Sequence, residues 1–358
     1  MSRFLMVDIG AGTVDILYYD TNKDLHYKCV ARSPVRTVAE DIMRLRGDLL
    51  VTGGEMGGGP VTDVLKKRAA EHKVIMSASS AATLNHNLEL VRQWGIQIVD
   101  EDRAGEMARR MAHAHVVLAD IQPQRLKHIV EGFGVPFAFD AVVVCAQDHG
   151  VPPPGVSHLD FRHNLFRERL ERKPFPHTLL FRSDEIPPVL NRLGSIARSA
   201  GQLPTESVYV MDSGMAAILG ASLDVSAIGR KHVYVMDAAT SHTVGAALEG
   251  ETLAGFFEYH TVDVDTAKIE ELFEALAAGR LSHRQVLAEG GHGAYIRKPL
   301  GFGKEDVIIS TGPKRGRLAD TRLPLVFGAP LGDNMMTGTL GLLEALRRRL
   351  NLDPIVYL

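Results

Sequence analysis

Two aspartates stand at the ends of short apolar runs, each followed at once by a turn of small residues. In Val7-Asp8-Ile9-Gly10-Ala11-Gly12-Thr13 the carboxylate leads into a turn rich in backbone N–H groups with one hydroxyl. In Val235-Met236-Asp237-Ala238-Ala239-Thr240-Ser241 it leads into small residues and two hydroxyls. Successive backbone N–H groups in such a turn can cradle phosphate, and a neighbouring carboxylate can hold a hydrated Mg²⁺. Phosphoryl chemistry asks chiefly for positioning and charge neutralisation, which two opposed turns of this kind supply. By itself the first turn reads equally as a plain acidic hairpin, and the second more readily as an ordinary turn. Two other phosphate motifs are excluded. The G-x-G-x-x-G fingerprint needs a third glycine where Asp15 stands, and a helix where the strand-like Ile16-Leu17-Tyr18-Tyr19 follows. Gly303-Lys304 continues into Glu305, so there is no G-x-x-x-x-G-K-[ST] loop.

The elements that must position these turns are short apolar runs bounded by turn residues, which read as strands. Residues 4–9 and 14–19 form an opening hairpin. Residues 49–52 form a strand that runs into Gly53-Gly54-Glu55-Met56-Gly57-Gly58-Gly59-Pro60 and then a helix over 61–72. Strands at 116–119 and 141–145 alternate with helices at 84–94, 102–112 and 124–133, which indicates an α/β architecture. Residues 150–188, with Pro152, Pro153, Pro154, Pro174, Pro176, Pro187 and Pro188, read as an irregular excursion between two halves, 1–188 and 189–358. The second half opens with a helix over 189–200 and continues through strands at 208–211, 233–236 and 244–248. Two of these strands run into aspartate, Asp212 and Asp237.

The composition bounds the rest. The chain has 358 residues, 45% hydrophobic and 23% charged, enough for a full core and unlike a disordered or fibrous chain. A net charge of −3 gives no global field to recruit nucleic acid or an acidic membrane. Aromatic residues do not interleave with basic ones, so single-strand binding has no support. Two cysteines, Cys29 and Cys145, make neither a disulfide scaffold nor a zinc motif and fit a reducing cytoplasm. Asp8 comes too early for a signal peptide, and no run reaches ~18 apolar residues. Glycine is in mild excess at 34 residues, which makes its placement informative. His113 and His115 lack the i, i+4 spacing of a helical metal pair. The Gly53–Pro60 loop reads either as an anion site at a helix N-terminus or as a surface loop. Lys314, Arg315 and Arg317 read as a phosphate-neutralising or a solvated basic loop, and Arg347-Arg348-Arg349 as cations favoured at a helix C-terminus.

Five motifs in order resemble the actin, sugar-kinase and heat-shock-chaperone ATPases, whose two similar lobes clamp Mg-ATP between paired hairpins. The runs 7–13 and 235–240 resemble the first and second phosphate loops. Met211-Asp212-Ser213-Gly214-Met215-Ala216-Ala217 resembles the acidic residue and small-residue helix before the second loop. Val307-Ile308-Ile309-Ser310-Thr311-Gly312 resembles the strand and turn beside adenosine, and Thr337-Gly338-Thr339-Leu340-Gly341 the closing helix. The resemblance implies a two-lobed, ribonuclease-H-like α/β fold with an interlobe cleft, and ATP and Mg²⁺ as cofactors. It implies Asp8 and Asp237 as metal ligands, with Asp8 also catalytic. Gly10, Gly12, Thr13, Thr240, Ser241, Thr311, Gly312 and Gly338 would bind nucleotide.

Ala146-Gln147-Asp148-His149-Gly150 is similar to the Gln-x-His-Gly substrate loop of FGGY-type carbohydrate kinases. That likeness implies Gln147 and His149 as substrate contacts and Asp212 as the general base. This chain departs from the pattern: Asp15 stands where many of those kinases carry a basic residue. Ala11, Ala239 and Pro313 replace a hydroxyl and two glycines, the spacing after Asp212 is off by one, and the chain is shorter. The opening run and Met56-Gly57-Gly58-Gly59-Pro60-Val61-Thr62 also resemble a prokaryotic family labelled as pyruvate formate-lyase activating enzymes. Radical chemistry of that type needs three clustered cysteines for its iron–sulfur cluster, and two cannot supply them. The expectations are ATP hydrolysis or phosphorylation of a small hydroxylated substrate. The alternatives are an ATP-gated regulator of a partner protein and a degenerate homologue that binds no nucleotide.

Overall fold

Strand β1 (Arg3–Ile9) carries Phe4, Leu5, Met6 and Val7 buried in succession. A run apolar on both faces belongs inside a sheet covered on both sides. The computed structural model, which describes residues 2–22, 25–110, 114–153 and 155–357, places it there. Ala112, His113 and Pro154, named above, lie outside the described residues. The turn after β1 returns the chain antiparallel as β2 (Thr13–Asp20), and β3 (Leu25–Arg32) completes a meander.

The chain then leaves for a separate parallel sheet of β4 (Leu49–Gly53), β5 (Val74–Ser77), β6 (Ile96–Val99) and β7 (His115–Leu118), in the order β6-β5-β4-β7. The helix expected over 84–94 begins only at Leu88, because the Asn87 side chain caps it by accepting from the N–H groups of Glu89 and Leu90. Strand β4 lies where the strand order reverses, so the glycine loop at its carboxyl end opens into a crevice.

The first sheet resumes with β8 (Phe139–Ala146), β9 (Leu180–Arg182) and β10 (Thr205–Asp212). Its order is β3-β2-β1-β8-β10-β9, with β8 and β10 parallel to β1. The boundary expected at residue 188 therefore does not coincide with the sheets: β10 and the helix Asn191–Ala200 before it belong with the first sheet. A parallel strand needs a long crossover, and residues 147–204 provide it. The excursion is also less irregular than expected, since it contains the helix His158–Arg172. Its prolines fall outside that span, Ser157 caps its start, and Arg162, Phe166 and Leu170 recur every fourth residue on the buried side.

The second sheet consists of β11 (His232–Ala238), β12 (His242–Glu249), β13 (Thr252–His260), β14 (Gly293–Ile296), β15 (Ile308–Thr311) and β16 (Leu325–Phe327). Its order is β14-β13-β12-β11-β15-β16. Here again an antiparallel meander of three is followed by two strands parallel to its first member. The same five-strand order occurs twice, which is the two-lobed ribonuclease-H-like architecture of actin-type ATPases. The helix Ser213–Ala221 leads from the first sheet to the second, and Thr337–Leu350 returns against β1 and β8. The two helices touch backbone to backbone: a Cβ on Gly220 would lie 1.8 Å from the Thr337 carbonyl oxygen, and one on Gly341 1.9 Å from that of Ala216. One hydrophobic core runs from β1 and β8 through both helices to Val233, Val235 and Val244 of the second sheet. Among the described residues no helix is long and apolar enough to cross a membrane.

Candidate functional site

The two aspartate-bearing hairpins occupy equivalent places in the two sheets and close in the same way. The N–H of Gly10 donates to the Thr13 carbonyl at 3.0 Å, and that of Ala239 to the His242 carbonyl at 3.0 Å. Each aspartate precedes its closing donor by two residues. The turns meet across the cleft, where a Cβ on Gly12 would lie 2.7 Å from the Thr240 hydroxyl. Around them is a cavity of about 660 Å³, lined by both turns, the glycine loop, residues 82–86 and 147–149, and Gly312 and Gly338. Gly10, Gly12, Thr13, Asp8, Asp237, Thr240 and Ser241 are thus brought together on its wall.

Three carboxylates crowd its floor. Asp8 and Asp15 are direct cross-strand partners on β1 and β2, so their side chains project from one face, where like charges oppose each other. Burial, then Asp237, pushes Asp8 up to about 7. Burial, then Asp8, pushes Asp15 up to about 8. Burial raises Asp237 to about 6, against a hydrogen bond donated by the Thr311 hydroxyl at 2.9 Å. Asp15 Oδ1 is buried without a partner. Thr311 is fully buried and off the cavity wall, so it acts through Asp237. Gly312 holds φ +85° where a Cβ would meet the Ala238 carbonyl oxygen at 2.6 Å. Gly338, in the first turn of the closing helix, lies where a Cβ would meet Asp8 Oδ2 at 2.0 Å. Only glycine lets the positive end of that helix approach the carboxylate this closely.

Asp212 is in a different environment. It caps the helix Ser213–Ala221, accepting from the Met215 N–H at 3.1 Å, while its other oxygen accepts from Arg162 at 2.7 Å. It is 2% exposed and does not line the cavity. With both oxygens engaged below the wall, it holds Arg162 in place. Arg162 also donates to Glu258 at 2.6 Å. Against the effect of burial, the guanidinium holds Glu258 down to about 2, and the two carboxylates raise Arg162 further. Gln147 lines the cavity and donates to Glu258, while its carbonyl accepts from Arg192 at 2.8 Å.

His149 is half-buried, with Nδ1 itself buried and unpartnered, and desolvation lowers it to about 3. Its ring lies edge-on to His292, which stands with His242 and His260 in one cluster on the cavity wall. Desolvation lowers His242 to about 4 and lowers His292 as well, so burial favours the neutral form of these two rings. Sequence reasoning missed Arg162, Glu258 and these three histidines. The signal that could have found the pair His242 and His260 is hairpin pairing of β12 with a strand over 252–260.

The glycine loop is packed. A Cβ on Gly54 would meet the Ser195 hydroxyl at 2.1 Å and one on Gly57 the Val35 side chain at 2.5 Å. Asp120 accepts from the Gly57 N–H at 3.3 Å and pairs with Arg192 at 2.8 and 3.0 Å. Glu55 pairs with His86 at 3.0 Å. These acids set the loop apart from an anion cradle. Arg315 and Arg317 donate to the carbonyls of Gly328 and Thr261, so they brace loops, and neither lines the cavity. Arg347, Arg348 and Arg349 form ion pairs with Glu344, Glu251 and Glu185.

Among solved structures the chain is similar to a Bacteroides thetaiotaomicron protein described as having an actin-like ATPase fold and unknown function. The identity is 8% over 89% of this chain and 86% of that one, with a TM-score of 0.35. It is also similar to the ethanolamine utilization protein EutJ of Carboxydothermus hydrogenoformans, at 11% identity over 96% and 88% with a TM-score of 0.33. A third likeness is to a PilM-PilN type IV pilus biogenesis complex, at 14% identity over 98% of both chains with a TM-score of 0.37. Likenesses this distant carry no functional argument, and the repeated strand order carries the fold. No curated protein matches the chain. Residues 56–317, most of the sequence, match one family model, and the chain belongs to the family described as "Putative pyruvate format-lyase activating enzyme (DUF1786)".

Proposed function

We propose that the protein binds Mg-ATP between its two hairpin turns and hydrolyses it. The observation that carries this reading is the duplicated hairpin, with the same closing hydrogen bond and an aspartate two residues before it in each lobe. The residues fit the cation. Asp8, Asp15 and Asp237 would hold it, and the buried, unpartnered Asp15 Oδ1 lacks the positive charge it calls for. Mg²⁺ bound there would offset the charge of the phosphates. The turns at 10–13 and 239–241 would grip the phosphates, and Gly312 and Gly338 would lie beside the rest of the nucleotide. The meeting of Gly12 with Thr240 requires the lobes to part before a triphosphate can enter.

Asp212 lies off the cavity wall with each oxygen already accepting a hydrogen bond, which favours hydrolysis, or nucleotide-gated closure on a partner protein, over sugar-kinase chemistry. The second reading, transfer to a small hydroxylated acceptor, rests on the extension of the cavity past the turns to Gln147 and His149. The activity in the family's description is not supported by the residues: the chain has only Cys29 and Cys145, both free thiols, and a [4Fe–4S] activating enzyme needs three clustered ones.

The test is calorimetry of Mg-ATP binding to the wild type and to Asp8→Asn. Wild-type binding weakened at least tenfold in the variant is expected. Wild-type protein that binds no Mg-ATP overturns the proposal. Turnover measured with and without polyols and sugars then separates hydrolysis from transfer, and a stably co-purifying protein points to the regulatory form.

A further inference from the structure

The second lobe carries a cluster of side chains that nucleotide binding does not use. His242 opens β12, His260 closes β13, and His292 immediately precedes β14. These three strands are neighbours in one sheet. His242 and His260 are paired across β12 and β13, and the His292 N–H donates to the Glu258 carbonyl at 2.8 Å. The imidazoles therefore converge from the ends of three hydrogen-bonded strands, a rigid support rather than a mobile loop. One ring nitrogen from each lies within 4.8 Å of the others. His260 Nε2 and His292 Nε2 are 3.1 Å apart, and His242 Nε2 is buried with no hydrogen-bond partner. In a tetrahedral site with metal–nitrogen bonds of ~2.0–2.1 Å, ligand nitrogens are about 3.3 Å apart; His260 and His292 already stand close to that spacing, and a small movement of His242 would close the set.

We propose that His242, His260 and His292 bind one transition-metal dication of the Zn²⁺ class, with the remaining coordination position facing the interlobe cavity. The donor chemistry selects the metal: three imidazole nitrogens suit Zn²⁺, Co²⁺, Ni²⁺ or Cu²⁺, whereas Mg²⁺ and Ca²⁺ take oxygen ligands. A metal-binding histidine usually gives its other ring N–H to a carboxylate, and His292 Nδ1, buried and without a hydrogen-bond partner, lies 3.7 Å from Glu258 Oε1, so that a small ring shift would make that bond. Arg162 and Gln147 in turn fix Glu258. All three histidines line the cavity, and His242 directly follows Ser241 of the second turn. A metal with three protein ligands keeps a position for water or an anionic ligand. That position would open into the same cavity as the two turns.

The test uses the full chain, stripped of metal with a chelator and kept free of nucleotide. Zn²⁺ is added by equilibrium dialysis in excess Mg²⁺, so that carboxylate sites do not contribute, and bound metal is counted by elemental analysis. Co²⁺ substitution reports geometry through the intense visible bands of a low-coordinate ion. One equivalent bound at micromolar affinity or tighter is expected, with affinity lowered at least 100-fold in His260→Gln and in His242→Gln. Glu258→Gln is expected to lower it about 10–100-fold, and the exposed His128→Gln to leave it unchanged. His260 is only half-buried, so its variant is expected to fold, as thermal melting will check. No stoichiometric Zn²⁺ in the wild type, or binding unchanged in both His242→Gln and His260→Gln, overturns the proposal. Because nucleotide is absent, failure of Mg-ATP binding leaves this result untouched.

Discussion

Asp15→Asn should make the metal-free protein more stable, by an amount that grows with pH. Asp15 is raised from the ordinary 3.8 to about 8, by burial and then by Asp8 opposite it. An acid raised in this way stabilises the fold fully only below its unfolded pKa. The contribution is lost as pH rises toward the folded value. At ~1.4 kcal/mol per pK unit, the ceiling on what ionisable Asp15 forfeits by pH 8 is about 5 kcal/mol. The repulsion with Asp8 is one interaction shared by two carboxylates, and Asp15 borders the cavity, so about half of this, ~2–3 kcal/mol, is the working figure. Asparagine keeps the shape and cannot ionise. With an unfolding entropy of ~2 cal/mol/K per residue over the chain, the gain is a Tm rise of ~3–4 °C at pH 8. At pH 4.5 it shrinks to about 1 °C. Thermal melts of both proteins in chelator across pH 4.5 to 8 measure the difference. Adding Mg²⁺ should then stabilise the wild type more than the variant. A shift that is the same at both ends of the pH range, or a variant that melts lower at pH 8, would refute the buried like-charge pair.

Two further outcomes are expected. Gly338→Ala, which would ordinarily favour a helix, should instead cost ~1–3 kcal/mol through overpacking against Asp8 and weaken Mg-ATP binding at least tenfold, as melting and calorimetry will show. Arg162→Met should cost ~3–5 kcal/mol by leaving Asp212 and Glu258 buried without their cation. The loss should be larger at pH 8 than at pH 5, because the stranded carboxyls resist ionisation, and a penalty independent of pH would count against that account.

The opening hairpin is legible in the sequence because its apolar runs are separated by a turn that only small residues can make. The same holds for the strands that end in Asp212 and Asp237. Strand β13 is harder to read. Thr252–His260 is buried along nearly its whole length with a bulge opposite Ala247, so it shows neither alternation nor a clean boundary. With β13 unread, Glu258 and His260 have no visible place, and His292, far along the chain, has no spacing that ties it to them. The helix His158–Arg172 is masked by its proline-rich flanks and by a buried arginine where its apolar stripe should run. Asp15 reads in the sequence as a departure, an acid where many sugar kinases carry a basic residue. Strand register turns it into the partner of Asp8, which is a property of pairing rather than of local composition.

The crossing of Ser213–Ala221 over Thr337–Leu350 has a mechanical consequence. Most packed helices resist turning against each other because side-chain ridges are seated in opposing grooves. At Gly220 and Gly341 there are no ridges, and bare backbones meet. One lobe would turn about this point as about an axle, since at these two positions no side chain stands between the helices. Gly338, one turn from that axle, touches Asp8. Rotation would then swing the rim of the cleft widely while the carboxylates at its floor scarcely move, so the mouth would open without dismantling the cation site.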